Sequence, residues 1–136
     1  HTMLAHVDPI RDISFCPFDS KFASCGDDGL IKVWDFEQYK CDCIMQGHGT
    51  DVKCLDWHPY KGVIVSGSKD CQQPIMLWDP RTSSALCTVH IHKNAVMSIK
   101  WNASGNLFAS ASKDKTIKVF DIRSMKELQT FRGHKK

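Results

Sequence analysis

The sequence predicts an all-β fold of three successive four-stranded antiparallel sheets, and two observations carry that expectation. Four histidines stand at His6, His48, His92 and His134, 42, 44 and 42 residues apart, and the first three are each followed 22 residues later by Asp28, Asp70 and Asp114. Each unit then closes on an aromatic residue and an aspartate: Trp34-Asp35, Trp78-Asp79 and Phe120-Asp121. A repeat of this period, with His near its start and Trp-Asp near its end, is the pattern of a unit that folds as one blade of a β-propeller.

Within the first unit, short β-rich runs alternate with turn residues. Ile10 to Cys16 is followed by Pro17-Phe18-Asp19-Ser20, then by Lys21 to Cys25, the Asp28-Gly29 turn, Ile31 to Trp34, and Cys41 to Met45. An Asp-Gly pair tolerates the positive φ angles of a tight hairpin. The second unit departs from its neighbours: Asp70 to Trp78 spans eight positions where they use six, with Cys71-Gln72-Gln73-Pro74 filling the connection. Its loop between the second and third strands is therefore expected to be longer. The blades are expected over about 7–47, 48–91 and 92–134, with Met3-Leu4 reading as the last strand of a preceding blade. Propellers close with about four to eight blades, so three are expected to be part of a larger ring.

Composition narrows the class. No apolar run of about 18 residues could span a bilayer, and no basic-then-apolar leader opens the chain, so a soluble intracellular protein is expected. The seven cysteines are odd in number and irregularly spaced, a poor disulfide framework; most are expected to be reduced, buried fillers. The net charge of +3 is uneven: residues 1–92 carry 8 Lys/Arg against 12 Asp/Glu, and residues 93–136 carry 10 against 3. A basic sector of this kind attracts polyanions such as RNA or acidic protein segments.

Three in-register copies, beginning "AHVDPIRDISFCPFDSKFASCGDDGLIKVWDF" and repeated to "VFDI", make essentially the whole chain resemble the WD-repeat (β-transducin) family. The resemblance implies a WD-repeat β-propeller and, in each blade, a side-chain network of Asp, His, Ser and Trp. Here that network would comprise His6, Ser24, Asp28 and Trp34, then His48, Ser66, Asp70 and Trp78, then His92, Ser110 and Asp114 with Phe120 in the Trp place. A turn carboxylate can accept from an imidazole N–H, the other ring nitrogen from a serine hydroxyl, and that hydroxyl oxygen from an indole N–H. Phe120 has no N–H, so in the third blade the chain of bonds should stop at the serine.

Asp, His and Ser together suggest a hydrolase, but the set recurs in every repeat and its serine sits inside a strand rather than on an exposed elbow; no catalytic residues are assigned. Cys41-Asp42-Cys43 and His90-Ile91-His92 lack a second matched pair for zinc, and no glycine-rich phosphate loop is present. No metal or cofactor is expected.

What remains is surface. The resemblance places the loops before the first strand and between the second and third on one face, gathering Lys69, Gln72, Gln73, Lys93, Lys113 and Lys115 as an RNA or partner surface. At a finer level, "GHGTDVKCLDWHPYKGVIVSGSKD", "HKNAVMSIKWNASGN" and "FDIRSMKELQTFRGHKK" resemble the WD-repeat subunit of the eukaryotic mRNA cleavage and polyadenylation factor. That resemblance implies internal blades of a seven-bladed propeller. It also implies a nuclear role in pre-mRNA 3′-end formation, partnership with other subunits of that factor, and contact with the polyadenylation signal as part of the complex. A competing resemblance rests on Trp78-Asp79-Pro80-Arg81 and Asp121-Ile122-Arg123. These Asp-x-Arg boxes resemble those with which substrate receptors of cullin-RING ubiquitin ligases bind their adaptor, through Arg81 and Arg123. A generic protein-interaction scaffold is the third reading. The two end blades of a three-blade segment should expose apolar faces, so self-association is also expected.

Overall fold

The structure, a computed structural model, describes residues 8–69, 74–92 and 94–132. Of the residues singled out above, His6, Asp70, Gln72, Gln73, Lys93 and His134, with the Met3-Leu4 lead-in, lie outside the described residues.

Twelve strands follow one another: β1 (Ile10–Phe15), β2 (Lys21–Gly26), β3 (Leu30–Asp35), β4 (Lys40–Gln46), β5 (Val52–Trp57), β6 (Ile64–Ser68), β7 (Ile75–Asp79), β8 (Ser84–Val89), β9 (Val96–Trp101), β10 (Leu107–Ser112), β11 (Thr116–Asp121) and β12 (Lys126–Arg132). They form three four-stranded antiparallel sheets with the strands in chain order, three blades of a partial β-propeller. Cys16, expected at the end of the first strand, instead opens the turn, its N–H donating to the Lys21 carbonyl at 2.9 Å. The connection between β6 and β7 covers residues 69–74, against 27–29 and 113–115 in the other blades.

Local chemistry explains the turns. Asp35, Asp79 and Asp121 accept at Oδ1 from the N–H of Glu37, Arg81 and Arg123 at 3.0, 3.0 and 2.8 Å, which is why each unit ends in an aspartate. Gly29 turns with φ +78°, and Lys115 holds the matching place in the third blade at φ +70°, a conformation that costs a non-glycine residue about 1–2 kcal/mol. Each blade also carries a bulge in its innermost strand, at Arg11, Lys53 and Met97, where one residue drops out of the pairing register. The bulge turns Arg11 away from the ladder, and its guanidinium reaches Asp27.

Packing of blade on blade explains the hydrophobic pattern. β5 contacts both β1 and β9, so the second blade is buried on two sides. Leu55, Ile64, Met76 and Trp78 join a cluster with Ile31, Val33 and Met45 of the first blade. Their alternate neighbours Cys54, Val65, Ile75 and Leu77 join Val96, Ile99, Phe108 and Phe120 of the third. This period of two makes Ile75 to Trp78 continuously apolar, because both faces of β7 are core. Small residues permit the approach: a Cβ on Gly67 would meet Val96 Cγ1 at 2.6 Å and Cys54 Sγ at 2.7 Å. The end blades are less covered, and Phe15 of β1 is 63% exposed.

The inner strands leave edge N–H groups that no ladder pairs, and side chains of the preceding blade take them. Leu55 N–H donates to Asp12 Oδ2 at 3.2 Å, Trp57 N–H to Ser14 Oγ at 3.1 Å, and Trp101 N–H to Asp56 Oδ2 at 2.8 Å. Ser14 and Asp56 occupy the same place in successive repeats.

The described cysteines are free thiols, as expected, and their burial is uneven. Cys16, Cys25 and Cys54 are buried, Cys43 and Cys87 half-buried, and Cys41 exposed, all of them free thiols; Cys71 lies outside the described residues. The difference follows strand position, since Cys41 and Cys43 lie on β4 and Cys87 on β8, the outer strands of their sheets. Burial pushes the Cys54 thiol up to about 12, which keeps it protonated and inert. Among the described residues no helix is long and apolar enough to cross a membrane.

Candidate functional site

The polar networks lie where each second strand meets the third. In the second blade Ser66 Oγ accepts from Trp78 Nε1–H at 2.8 Å and stands 2.6 Å from His48 Nε2. All three side chains are buried. In the third blade His92 Nε2 is 2.7 Å from Ser110 Oγ, and Nδ1 is 3.3 Å from Asp114 Oδ2. A carboxylate only accepts, so the proton sits on Nδ1 and the Ser110 hydroxyl donates to Nε2. Burial pushes the His92 imidazole below its ordinary value and outweighs the stabilising carboxylate, so the ring is neutral. In place of an indole N–H, Phe120 packs its ring on Phe108 at 5.3 Å between centroids.

In the first blade Trp34 Nε1–H donates to Ser24 Oγ at 2.9 Å. Asp28 and Asp114 each accept at Oδ1 from the N–H two residues on, Leu30 at 3.1 Å and Thr116 at 3.0 Å. Burial raises the Asp114 carboxyl, but the Thr116 hydroxyl and His92 more than offset it, and the net direction is down. Ser66 is held between an indole donor and a ring nitrogen, Ser110 bonds one ring nitrogen, and Ser24 accepts from one indole, all three inside strands. None faces an open cleft with a free base beside it, an arrangement that suits rigidity and not nucleophilic attack.

The candidate RNA or partner surface is set by the repeat. Asp27, Lys69 and Lys113 occupy one equivalent position, each donating its N–H at 3.0 Å to the residue just before the inner strand: Pro9, Asp51 and Ala95. The three side chains therefore emerge on one face. In the first blade this position is acidic and occupied by Arg11, whose Nε and Nη2 hold the carboxylate at 2.7 and 2.5 Å and lower its pKa. In the next two it is an exposed lysine. Lys113 and Lys115 line an open cleft of about 570 Å³ with Asn94 and Thr116. The face is thus neutralised on one blade and cationic on two.

Arg81 and Arg123 project from the other end of the blades, from the β7–β8 and β11–β12 turns. Arg81 Nε lies 3.2 Å from Asp79 Oδ1, and Arg123 Nε 3.5 Å from Asp121 Oδ1. Both guanidiniums lean on the aspartate of their own turn.

Sequence reasoning missed His58. It is fully buried and ties the second blade to the third: Nε2–H donates to the Gly105 carbonyl at 2.8 Å, while Nδ1 accepts from Tyr60 and Lys61 N–H at 3.2 and 2.9 Å. The Tyr60 hydroxyl donates to the Ser104 carbonyl on the same turn. Gly105 turns with φ +76°, and a Cβ there would collide with His58 Cε1. The signal available in sequence was Trp57-His58-Pro59 followed 47 residues on by a glycine, and nothing local links the two.

The WD domain, G-beta repeat family matches residues 1–35, 39–72 and 83–121. Nuclear distribution protein PAC1 of Arthroderma benhamiae is 33% identical over 98% of this chain, which covers 31% of that protein. Polyadenylation factor subunit 2 of Neurospora crassa is 46% identical over 63% of this chain and 13% of its own length; its namesake in Gibberella zeae is 46% identical over 51% and 11%. The chain spans less than a third of the length of these curated relatives. Its first match ends at Trp34-Asp35 and its third at Phe120-Asp121, while the second stops at 72, within the lengthened connection. Three matched repeats folded as three successive four-stranded blades place this chain in the WD-repeat family.

Proposed function

We propose that this chain is a non-catalytic WD-repeat scaffold in the machinery that cleaves and polyadenylates pre-mRNA, acting in the nucleus beside the other subunits of that machinery. The observation that carries the reading is the 46% identity to polyadenylation factor subunit 2 over 63% of this chain, against 33% over 98% for nuclear distribution protein PAC1. In this reading the lysine face at Lys69, Lys113 and Lys115, with Lys93, Gln72 and Gln73 on the same loops by the repeat, meets the RNA backbone near the polyadenylation signal. The chemistry of cleavage belongs to partners, because the Ser and His groups serve blade packing. The test is affinity purification of the tagged full-length protein from nuclei followed by mass spectrometry. Polyadenylation factors should co-purify; their absence would overturn the reading, and a cullin adaptor in their place would assign Arg81 and Arg123 to a ligase.

A second reading, an interaction scaffold outside mRNA processing, draws support from the PAC1 relative, whose similarity extends over 98% of the chain. The same purification separates the two.

A further inference from the structure

The three blades repeat one backbone arrangement on the lysine face and change its charge. Asp27, Lys69 and Lys113 hold one position, and the bulge of the inner strand places Arg11, Lys53 and Met97 at a second. In the first blade Arg11 grips Asp27 through two nitrogens, Nε at 2.7 Å and Nη2 at 2.5 Å. Lys53 of the second blade also turns toward that carboxylate, its Nζ 4.0 Å from Asp27 Oδ1 and 3.5 Å from Asp51 Oδ2. The Arg11 bond lowers the Asp27 carboxyl against burial, and the charges of Lys53 and Lys69 add to it. In the third blade these partners are gone: Ala95 stands where Asp51 does, and Met97 where Lys53 does. Lys69, Lys113 and Lys115 are exposed, and among the described residues none of them lies in an ion pair.

A fixed carboxylate and a phosphate compete for the same cation. The fork that a guanidinium offers a carboxylate is the fork it offers a phosphate, so Arg11 held on both sides by Asp27 has little left to give. Asp27 itself repels a phosphate at the place where the next two blades present a lysine. Free positive charge on this face therefore rises from the first blade to the third, and the step lies between Asp27 and Lys69.

We infer that the Arg11–Asp27 pair ends the phosphate track: the RNA backbone runs over the second and third blades, at Lys69, Lys113 and Lys115, and leaves the face before the first. This rests on the RNA reading of the face and adds that one acidic residue determines where the strand stops. Asp27 is a positioning residue, acting by holding Arg11 away from phosphate. The open cleft of about 570 Å³ beside Lys113 and Lys115 lies on the side the strand takes. Asn94 of that cleft suits a phosphate, because its Oδ1 accepts from Ala95 N–H at 3.0 Å and its amide N–H groups are left to donate.

The probe is a fluorescently labelled oligouridine long enough to cross all three blades, titrated by anisotropy over a series of salt concentrations. The slope of log affinity against log salt counts neutralised phosphates, at about 0.7 each for a single strand. Lys113→Gln should flatten that slope by about 0.7, the loss of one phosphate contact. Asp27→Lys should steepen it by about 0.7 as the first blade joins the track, and Asp27→Asn should steepen it by releasing Arg11. The Asn variant, close in shape to the parent, keeps the test informative if Asp27→Lys does not fold. Arg11→Gln should leave the slope unchanged, since its guanidinium neutralises Asp27 and no phosphate. Two Asp27 variants with the parent's slope beside a flattened Lys113→Gln, or an Arg11→Gln that flattens it as much as Lys113→Gln does, would overturn the boundary and leave the RNA reading standing. A parent that does not bind the oligonucleotide, or a Lys113→Gln with the parent's slope, overturns the RNA reading and the boundary with it.

Discussion

Asp56 and Trp101 are joined twice across the seam between the second and third blades: the Trp101 main-chain N–H donates to Asp56 Oδ2 at 2.8 Å, and the indole Nε1–H donates to the Asp56 carbonyl at 3.1 Å. One residue of an inner strand thus satisfies both the exposed edge of the next strand and the ring that packs beside it. Seams in this protein are held by side-chain acceptors as well as by apolar contact.

Asp56→Ala should remove the acceptor for the Trp101 N–H and for the Ser14 hydroxyl, which lies 3.3 Å from Oδ1. The expected loss is about 2–3 kcal/mol, measured by urea unfolding, against about 1 kcal/mol for Ser14→Ala. Equal midpoints for Asp56→Ala and the parent would show that apolar packing alone holds the seam.

Ser66 serves two buried partners, His48 and Trp78, and Ser110 serves one ring nitrogen, because Phe120 offers no donor. Ser66→Ala should therefore cost about 2–4 kcal/mol and Ser110→Ala about 1–3 kcal/mol, each orphaned polar group contributing separately. The comparison is a pair of thermal melts, and a larger loss for Ser110→Ala would reverse the assignment.

Both His58 and His92 are held below their ordinary value, burial being the largest cause in each. The unfolded chain therefore binds protons at a higher pH than the folded one. The associated stability is present in full above the unfolded value of about 6.5 and is lost as pH falls below it toward the folded values. The urea midpoint should fall between about pH 7.5 and about pH 5.5, and His58→Gln combined with His92→Gln should flatten that fall. A midpoint that rises on acidification would contradict the neutral, buried state of both rings.

If the lysine face binds RNA by charge, replacing Lys69, Lys113 and Lys115 with glutamine should reduce the slope of log affinity against log salt by about 0.7 for each phosphate of a single strand that is no longer neutralised. Filter binding to an RNA bearing the polyadenylation signal measures it. A triple variant that binds as the parent does would make these lysines a solvated surface.

The first blade exposes Ile13, Phe15, Phe36 and Ile44, and the third Leu128 and Phe131, large apolar side chains that are costly to leave in water when they lie together. The isolated chain should self-associate, with two copies pairing their open blades, and light scattering reads the mass. A monodisperse particle of 15.4 kDa with a cooperative melt would show that three blades need no cover.

The repeat period, the strand runs, the turn aspartates and the lengthened connection of the second blade were legible in the sequence, because each is a local pattern that recurs in register. Ser24, Ser66 and Ser110 could be named for the same reason, while their distances to the rings could not. Only the tertiary structure decided which groups meet across a seam. Asp12 capping Leu55, His58 reaching Gly105, and Trp57 left unpaired where Trp101 is paired all join residues more than forty positions apart or depend on such a neighbour. The physical reason is that blade order and twist, and not the residue's own neighbours in the chain, determine whether an edge N–H, an imidazole or an indole finds an acceptor. The exposure of Cys41 has the same origin: its chemistry marks a buried filler, and its place on an outer strand leaves it at the surface.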